Sequence, residues 1–233
     1  MIDRILPPSV ASAWALDDTG TIALFPQEEA AIVRAVEKRR REFTTVRACA
    51  RRALARLGLP EAPLVPGVRG APVWPAGVTG SMTHCAGYRA AALARTTDLA
   101  AVGIDAEPHD TLPDGVLEAV ARPEERAWIA EGGAGPGVCW DRLLFSAKET
   151  VFKVWYPLTG KELGFEEATL VFHPGGTFTA RLLVPVPATA HPLPAELPGR
   201  WTVADGIALT AAVLPAPAGG SHPRRTTGAG HAG

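Results

Sequence analysis

One stretch constrains the fold of this chain more than any other: residues 145–155, which read FSAKETVFKVW. They lie in a segment that predicts a helix from residue 140 to about 156, because apolar side chains recur there at helical spacing. That apolar stripe consists of Trp140, Leu143, Leu144, Ala147, Val151, Val154 and Trp155. Glu149 and Lys153 fall on the opposite side, one turn apart, with three aromatic residues close to them: Phe145, Phe152 and Tyr156. We therefore expect a helix covered on both sides, although a Glu–Lys pair at this spacing is also typical of a solvated face.

The composition bounds the class of protein. The chain has 233 residues, of which 47% are hydrophobic, enough for one sizeable domain or two small ones. A net charge of -1 argues against a general nucleic-acid binder. Cys49, Cys85 and Cys139 form no CxxC motif, which disfavours a disulfide framework or zinc site and favours a reducing compartment. We expect a cytoplasmic protein without a membrane partner, since no leader-like or membrane-length apolar run occurs.

Basic residues concentrate in one segment of this near-neutral chain. A helical pattern runs from residue 27 to 57, where Gly58 and Pro60 end it. Within it lies the run EKRRREF at positions 37–43, followed by Arg47, Arg51 and Arg52. Such a cluster is typical of a solvated helix face. For a subset of these arginines the alternative is phosphate capture, because a guanidinium fork matches two phosphate oxygens at once.

Two predicted strands place polar residues beside a turn. Residues 80–93 indicate strands folded about Ala86 and Gly87, with Thr83 and His84 just before the turn. A lone histidine there is more often a hydrogen-bonded structural residue than a ligand contact. Cys85 is adjacent to His84 on the same strand, so the two side chains face opposite ways. This disfavours a Cys–His nucleophile.

Residues 99–108 predict a short apolar strand whose end carries two carboxylates, Asp105 and Glu107. Strand periodicity puts both on one face, roughly 6–7 Å apart. Two carboxylates that close repel unless a cation lies between them, and oxygen ligands suit Mg²⁺. The alternative is a pair of exposed acids at a strand end. Together with Glu149 and Lys153, the pair would suit cleavage of a pyrophosphate.

The remaining patterns indicate helices and hairpins. Residues 112–130 are predicted to be helical after Pro113. Two hairpins are expected, one pairing 168–172 with 177–184 and one pairing 201–203 with 207–214, with a proline-rich loop at 185–198 between them. The Pro/Gly/Ala-rich tail, 215–233, is predicted to be disordered. Both halves of the chain thus combine helices with a small antiparallel sheet.

Two of these segments resemble the signatures of a known family. The run GIDAE at 103–107, followed by FSAKETVFK at 145–153, is similar to the two signatures of 4′-phosphopantetheinyl transferases, (V/I)GIDxE and (W/F)xxKExxxK. The similarity is to the Sfp/EntD-type group and closest to the actinobacterial PptT-like enzymes. It extends to residues 39–47, 69–75 and 81–88, and so covers about 30 to 214. Phe145 stands where the second signature often has Trp, and Pro66 where close relatives are expected to carry Lys.

The resemblance implies a fold and an activity. The fold would be α+β, a pseudo-dimer of two similar halves (1–102 and 103–214), each a small antiparallel sheet with packed helices. Coenzyme A would lie in the cleft between them. The enzyme would transfer 4′-phosphopantetheine from coenzyme A to a serine of an apo carrier protein of fatty-acid, polyketide or nonribosomal-peptide synthesis, releasing adenosine 3′,5′-bisphosphate. It would act as a monomer.

The resemblance also implies roles for single residues. Mg²⁺, or alternatively Mn²⁺, would be held by Asp105, Ala106, Glu107 and Glu149. Glu149 would also be the base that frees the serine hydroxyl, and Lys153 would neutralise charge on the pyrophosphate. Coenzyme A would be contacted by Arg39, Arg47, Arg69, Thr83, His84, Asp105, Lys148, Glu149 and Lys153. Of these, Arg39, Arg47, His84 and Lys148 would reach phosphates, while Thr83 and Arg69 would help seat the nucleotide.

Two other functions compete with transfer. A Mg²⁺-dependent hydrolase of nucleotide pyrophosphates needs the same acids but no acceptor, and the apolar residues near Glu149 disfavour it because a hydrolase must admit water. A non-catalytic module that binds coenzyme A or a carrier protein would not need the full set of Asp105, Glu107, Glu149 and Lys153. We therefore expect an active transferase.

Overall fold

The N-terminal unit is a three-stranded antiparallel sheet with one long helix against it. The computed structural model describes residues 1–20, 22–187, 189 and 191–217. After a 3₁₀ turn at Ile2–Ile5 come β1 (Ala11–Ala15), α1 (Pro26–Ala31), α2 (Glu37–Arg56), β2 (Val78–Cys85) and β3 (Tyr88–Arg95). The strands lie in the order β1-β3-β2, and α2 buries residues such as Cys49, Ala50 and Leu54 against them.

The C-terminal unit is larger. It contains β4 (Leu99–Pro108), α3 (Val116–Val120), α4 (Pro123–Ala130), α5 (Trp140–Thr159), β5 (Ala168–His173), β6 (Thr177–Leu182), β7 (Glu196–Ala204) and β8 (Ile207–Pro215). Its five strands are antiparallel, in the order β4-β8-β7-β6-β5. The predicted α+β class of two units, each a sheet with packed helices, is confirmed. The two sheets differ in size, three strands against five.

Several element boundaries differ from the predictions. β4 begins at Leu99 and pairs with β8, so the strand that spans the predicted division at 102/103 belongs to the C-terminal sheet. Helix α5 extends to Thr159, three residues beyond the predicted end, with Pro157 inside its last turn. The predicted helix over 112–130 is broken between α3 and α4, because the residue before Pro123 is driven to extended backbone. The predicted disorder of 215–233 falls mostly outside the described residues.

The predicted helix over 27–57 is in fact two helices, α1 and α2, and a buried ion pair explains the break. The Glu28 carboxylate accepts hydrogen bonds from the guanidinium of Arg51 and from the backbone N–H of Leu64 at 2.9 Å. In one straight helix, Glu28 and Arg51 would lie about 35 Å apart. The chain therefore turns between Ile32 and Val36 so that α1 folds back against α2.

Helix α5 packs directly on β4 at a glycine. A Cβ at Gly103 would penetrate the carbonyl oxygen of Thr150 and lie 2.9 Å from Val154 Cγ2. The apolar stripe predicted for α5 is buried, from Trp140 through Trp155, in the core of the C-terminal unit. Hydroxyl groups fix the helix on the sheet as well, because Thr210 Oγ1 on β8 lies 2.7 Å from Thr150 Oγ1 and 2.9 Å from Ser146 Oγ.

Side-chain hydroxyls join the two units along β2 and β4. Ser81 Oγ accepts the backbone N–H of Ile104 at 3.2 Å, and Thr83 Oγ1 accepts that of Ala106 at 3.1 Å. A shared apolar core lies nearby, formed by one face of β3 together with β4, β8 and the N-terminal turn. Hydrogen bonds and buried apolar surface therefore fix the two units against each other. None of the helices in the described ranges is long and apolar enough to cross a membrane.

We predict that Gly103→Ala destabilises the protein, since the added methyl must push the backbone of α5 away from β4. The expected loss in the free energy of unfolding is about 1–3 kcal/mol, measured by urea denaturation. Gly20→Ala is the control, because no described residue beyond its chain neighbours lies within 4 Å of a Cβ placed there. An unchanged unfolding midpoint for Gly103→Ala would contradict the close approach.

Candidate active site

A cleft of about 750 Å³ opens between the two units. Its walls come from α2, β2, the loop that contains residues 66–74, and the face of α5 opposite the apolar stripe. Six residues singled out from the sequence line it: Arg39, Arg47, Arg69, His84, Glu149 and Lys153. Phe152 and Tyr156 line it as well and stack with their ring centroids 5.4 Å apart. One side of α5 is therefore packed in the core, and the side that carries Glu149 and Lys153 faces the cleft and the N-terminal unit across it.

Lys153, which lines the cleft, and Asp105, which is buried and bonded to it, form the centre of the site. Lys153 Nζ lies 2.7 Å from Asp105 Oδ1 and donates a second hydrogen bond to the carbonyl of Ile104 at 3.2 Å. The packing of α5 on β4 at Gly103 brings these groups together. Asp105 is buried, and its Oδ2 has no hydrogen-bond partner among the described residues.

Glu149 lies one turn before Lys153 and borders two cavities. It lines the large cleft and also a smaller cavity of about 200 Å³, which is formed with Phe152, Leu163 and Phe165. Burial raises the pKa of the Glu149 carboxyl above its usual value; Lys153 opposes this shift and Asp105 adds to it. A carboxylate in this position binds a proton more readily than one in water.

Thr83 positions Asp105 rather than lining the cleft. Its buried hydroxyl donates to Asp105 Oδ1 at 3.1 Å and accepts the N–H of Ala106 at the same distance. The hydroxyl of Thr83 is thus engaged with β4, and the predicted contact of Thr83 with the nucleotide stays a prediction.

Glu107 is partly buried beside Asp105 and paired with a residue that the sequence did not single out. Arg142 Nη1 lies 3.1 Å from Glu107 Oε2. Burial and the charge of Asp105 raise the pKa of Glu107, and Arg142 opposes the shift. Arg142 stands six residues before Lys148, in the first turn of α5, and its single charge gave no signal in the sequence.

Asp105 and Glu107 are each paired with a basic side chain, Lys153 and Arg142. Among the described residues, no three His, Cys, Asp or Glu side chains gather closely enough to form a metal cluster. Two features nevertheless fit a hard cation. Asp105 Oδ2 is buried without a hydrogen-bond partner among the described residues, and burial together with the Asp105 charge raises the pKa of Glu107. Oxygen donors that repel one another are stabilised by a divalent cation, so the donor set suits Mg²⁺.

An arginine and a histidine meet on the N-terminal side of the cleft. Arg39 Nη1 lies 2.6 Å from His84 Nε2, and Glu42 lies 3.9 Å from both side chains. Burial and the Arg39 charge lower the pKa of His84, so its Nε2 accepts a hydrogen bond from Arg39. Because His84 only accepts in this contact, the half-exposed Arg39 supplies the positive charge of the pair to the cleft.

Two further arginines differ in how firmly they are held. Arg47 is buried, with its guanidinium 3.2 Å from the centroid of the Phe43 ring and its Nε bonded to the carbonyl of Leu64 at 3.1 Å. Burial lowers the pKa of Arg47 to about 10. Arg69 is exposed, has a left-handed backbone (φ 55°), and pairs with Glu162 of the other unit at 2.5 Å.

Lys148 does not reach the large cleft. Its ammonium donates to the carbonyls of Phe165 and Ala168, at 2.7 and 3.1 Å, and lies 2.7 Å from Glu125. These three partners use its three N–H bonds, so the expected phosphate contact is not supported. Lys148 instead anchors the wall of the smaller cavity to α4. Nothing in the sequence indicated that Glu125 contacts Lys148, because the two residues are 23 positions apart in the chain.

A cysteine nucleophile is disfavoured by the environment of Cys85. Burial and the nearby carboxylates of Glu107 and Asp105 raise the pKa of its thiol to about 12. A thiol of this kind stays protonated at neutral pH, and only the thiolate is a strong nucleophile. The site therefore depends on carboxylates and cations.

Comparison with known proteins places this chain in one family. Residues 27–94 match the 4′-phosphopantetheinyl transferase N-terminal domain, and residues 101–204 match the 4′-phosphopantetheinyl transferase superfamily. The chain is 56% identical to 4′-phosphopantetheinyl transferase Svp of Streptomyces mobaraensis over 224 residues, 94% of this chain and 91% of that protein. It is 48% identical to Npt of Nocardia iowensis over 220 residues, 91% of this chain and 98% of that protein. It is 45% identical to PptT of Mycobacterium tuberculosis over 223 residues, 92% and 98% of the two chains. Its sequence and both of its units thus assign this chain to the 4′-phosphopantetheinyl transferases.

Proposed function

We propose that this transferase takes 4′-phosphopantetheine from coenzyme A, attaches it to a serine of an apo carrier protein, and releases adenosine 3′,5′-bisphosphate. The observation that carries the proposal is that Glu149 and Lys153 lie on successive turns of α5 and both line the cleft, with Lys153 bonded to Asp105. Such a site places a proton acceptor and a cation within reach of one pyrophosphate.

The charges of the cleft suit an elongated, anionic substrate. Lys153 lies on the α5 side, while Arg39 with His84 and the buried Arg47 lie on the α2 side. Cations on both walls would bind the several phosphate groups of coenzyme A, and arginine forks match phosphate oxygens especially well. Arg69 would close the edge of the cleft over the nucleotide. The smaller cavity beside Glu149 would receive the less polar pantetheine arm.

In the proposed reaction Glu149 accepts the proton of the attacking serine hydroxyl. The serine oxygen bonds to the phosphorus that carries pantetheine, as the bond from that phosphorus to the oxygen of adenosine 3′,5′-bisphosphate breaks. Lys153 balances negative charge on the pyrophosphate and on the leaving phosphate. The raised pKa of Glu149 suits a group that must take up a proton during the step.

Asp105 and Glu149 would hold Mg²⁺ with the help of Glu107 and the carbonyl of Ala106. When bound, the cation would neutralise phosphate oxygens and polarise the phosphorus. Thr83 and Lys153 would keep the Asp105 carboxylate in place for it. The unpartnered Oδ2 of Asp105 supports this assignment.

The acceptor would approach over the basic surface of α2. Lys38 and Arg41 are exposed there, as is Arg34 in the turn before the helix, and such a surface attracts acidic proteins and speeds their association. Carrier proteins of fatty-acid, polyketide or nonribosomal-peptide synthesis are the proposed class. One chain supplies both walls of the cleft, which supports a monomer. Three free cysteines support a reducing, cytoplasmic setting.

We expect an apo carrier protein to gain the mass of one phosphopantetheine arm when it is incubated with this protein, coenzyme A and Mg²⁺. Glu149→Gln should lower the rate by about 100-fold or more, because it removes the proton acceptor. Intact-mass spectrometry measures both. Glu118→Gln, an exposed change on α3, is the matched control and should leave the rate unchanged. Release of adenosine 3′,5′-bisphosphate without a mass gain would indicate a hydrolase instead.

We predict that Asp105→Asn raises the Mg²⁺ concentration needed for half-maximal rate. The shift should be at least the ~10-fold that loss of an outer-shell partner typically costs. Metal-stripped enzyme would be titrated with Mg²⁺ in the transfer assay. Asp98→Asn, just before the same strand, is the control, since the exposed Asp98 carboxylate accepts a hydrogen bond from Thr97 Oγ1 at 3.3 Å and lies seven residues before Asp105. An unchanged titration for Asp105→Asn would exclude Asp105 as a ligand.

Arg39→Gln should raise the KM for coenzyme A by about 10–100-fold with a smaller effect on kcat, since a hydrogen bond to a charged group contributes about 1.5–3 kcal/mol. Steady-state kinetics at saturating carrier protein measures the split. Arg41→Gln is the comparison, because Arg41 is exposed and pairs with Glu37 on the helix surface at 3.7 Å. Equal KM values for Arg39→Gln and wild type would remove Arg39 from the substrate site.

A further inference from the structure

Each nitrogen of the Arg142 guanidinium group donates a hydrogen bond, although none of the roles described above belongs to this residue. Its Nε donates to the carbonyl of Asp110 at 2.9 Å and its Nη2 to that of Thr111 at 2.7 Å. Its Nη1 donates to Glu107 Oε2 at 3.1 Å. All three nitrogens are thus engaged, two with backbone just after β4 and the third with a carboxylate of the site. The guanidinium is largely buried, with 15% of the side chain exposed.

The neighbours of Arg142 make this attachment rigid. Asp141 Oδ2 accepts the backbone N–H of Leu112 at 2.8 Å. His109 Nε2 accepts the backbone N–H of Cys139 at 2.9 Å. The start of α5 and the segment that follows β4 are therefore joined at four successive residues, 109–112. A planar guanidinium held by two fixed carbonyls can present its third nitrogen in only one direction.

The Glu107 carboxylate depends on this one cation. Among the described residues, Arg142 is the only basic side chain within ion-pair distance of Glu107. Lys153, the other cation of the site, is directed at Asp105 Oδ1 instead. Without Arg142, two like charges on one strand face would repel, and the longer Glu107 side chain would turn away from Asp105.

We propose that Arg142 is a positioning residue for the metal site: it holds Glu107 by Oε2, so that the carboxylate stays beside Asp105 and its other oxygen remains available to the cation. The proposal rests on the proposed function, in which Asp105, Glu107 and Glu149 serve a divalent cation. It predicts that the geometry of the fork matters as well as its charge, since a lysine could not bind both carbonyls and the carboxylate.

The test is Mn²⁺ binding to the intact enzyme with coenzyme A and no acceptor, followed by the electron paramagnetic resonance signal of free Mn²⁺. Arg142→Gln should weaken Mn²⁺ binding by about 10–100-fold. Arg142→Lys should also weaken it. Arg126→Gln is the matched control, because Arg126 likewise bonds to two backbone carbonyls, those of Glu118 and Ala121, but to no carboxylate of the site.

A double variant separates positioning from a general structural role. In a Glu107→Gln background, adding Arg142→Gln should cause no further loss of Mn²⁺ affinity, since the group it positions is already neutral. A further loss as large as in the wild-type background, or a normal affinity in the Arg142→Gln single variant, would overturn the proposal. If wild-type enzyme bound no Mn²⁺ while transferring phosphopantetheine, the metal part of the proposed function would fail together with this inference.

Discussion

The structure depends on one close approach, that of α5 to β4 at Gly103. Because this residue has no side chain, the helix backbone at Thr150 comes into contact with the strand. The buried hydroxyl of Thr210 then fixes the rotation of the helix about its axis. With position and rotation set, Lys153 reaches Asp105 on the strand, two residues beyond the glycine. Gly103 allows the close approach of α5, and Asp105 meets Lys153 because of that approach, so the geometry of the site requires both residues of the first signature.

Gathering carboxylates at the edge of a cleft costs free energy, and the chain offsets it with cations. Lys153 compensates Asp105, and Arg142 compensates Glu107. Buried ion pairs rarely stabilise a fold more than apolar residues of the same size would, so pairs such as these are better explained by the site than by stability. The compensation is incomplete, because Asp105 Oδ2 has no partner in the described chain.

Patterns of neighbouring residues predicted much of this fold. The features that they did not predict arise from contacts between residues far apart in the sequence. The stripe of α5 and the hairpins were predictable because periodicity and turn residues act over a few positions. The break after α1 was not, since it follows from Glu28 meeting Arg51. The partner of Lys148 was not predictable for the same reason, because Glu125, which holds its ammonium, lies on another helix. The cleft-lining role of Arg39 and His84 came from the family resemblance, and the structure brings the two within 2.6 Å.

The junction between the two units has a consequence for the chemistry. Along β2, the hydroxyls of Ser81 and Thr83 bond to the backbone of β4, in place of a continuous ladder between the two sheets. Thr83 also donates to Asp105, so the unit that carries Arg39 and His84 orients the central carboxylate of the other unit. A small displacement between the units would therefore move Arg39 and His84 and turn Asp105 at the same time. The positions of the cations on one wall of the cleft and the orientation of the carboxylate behind the other wall are coupled, because the same hydrogen bonds fix both.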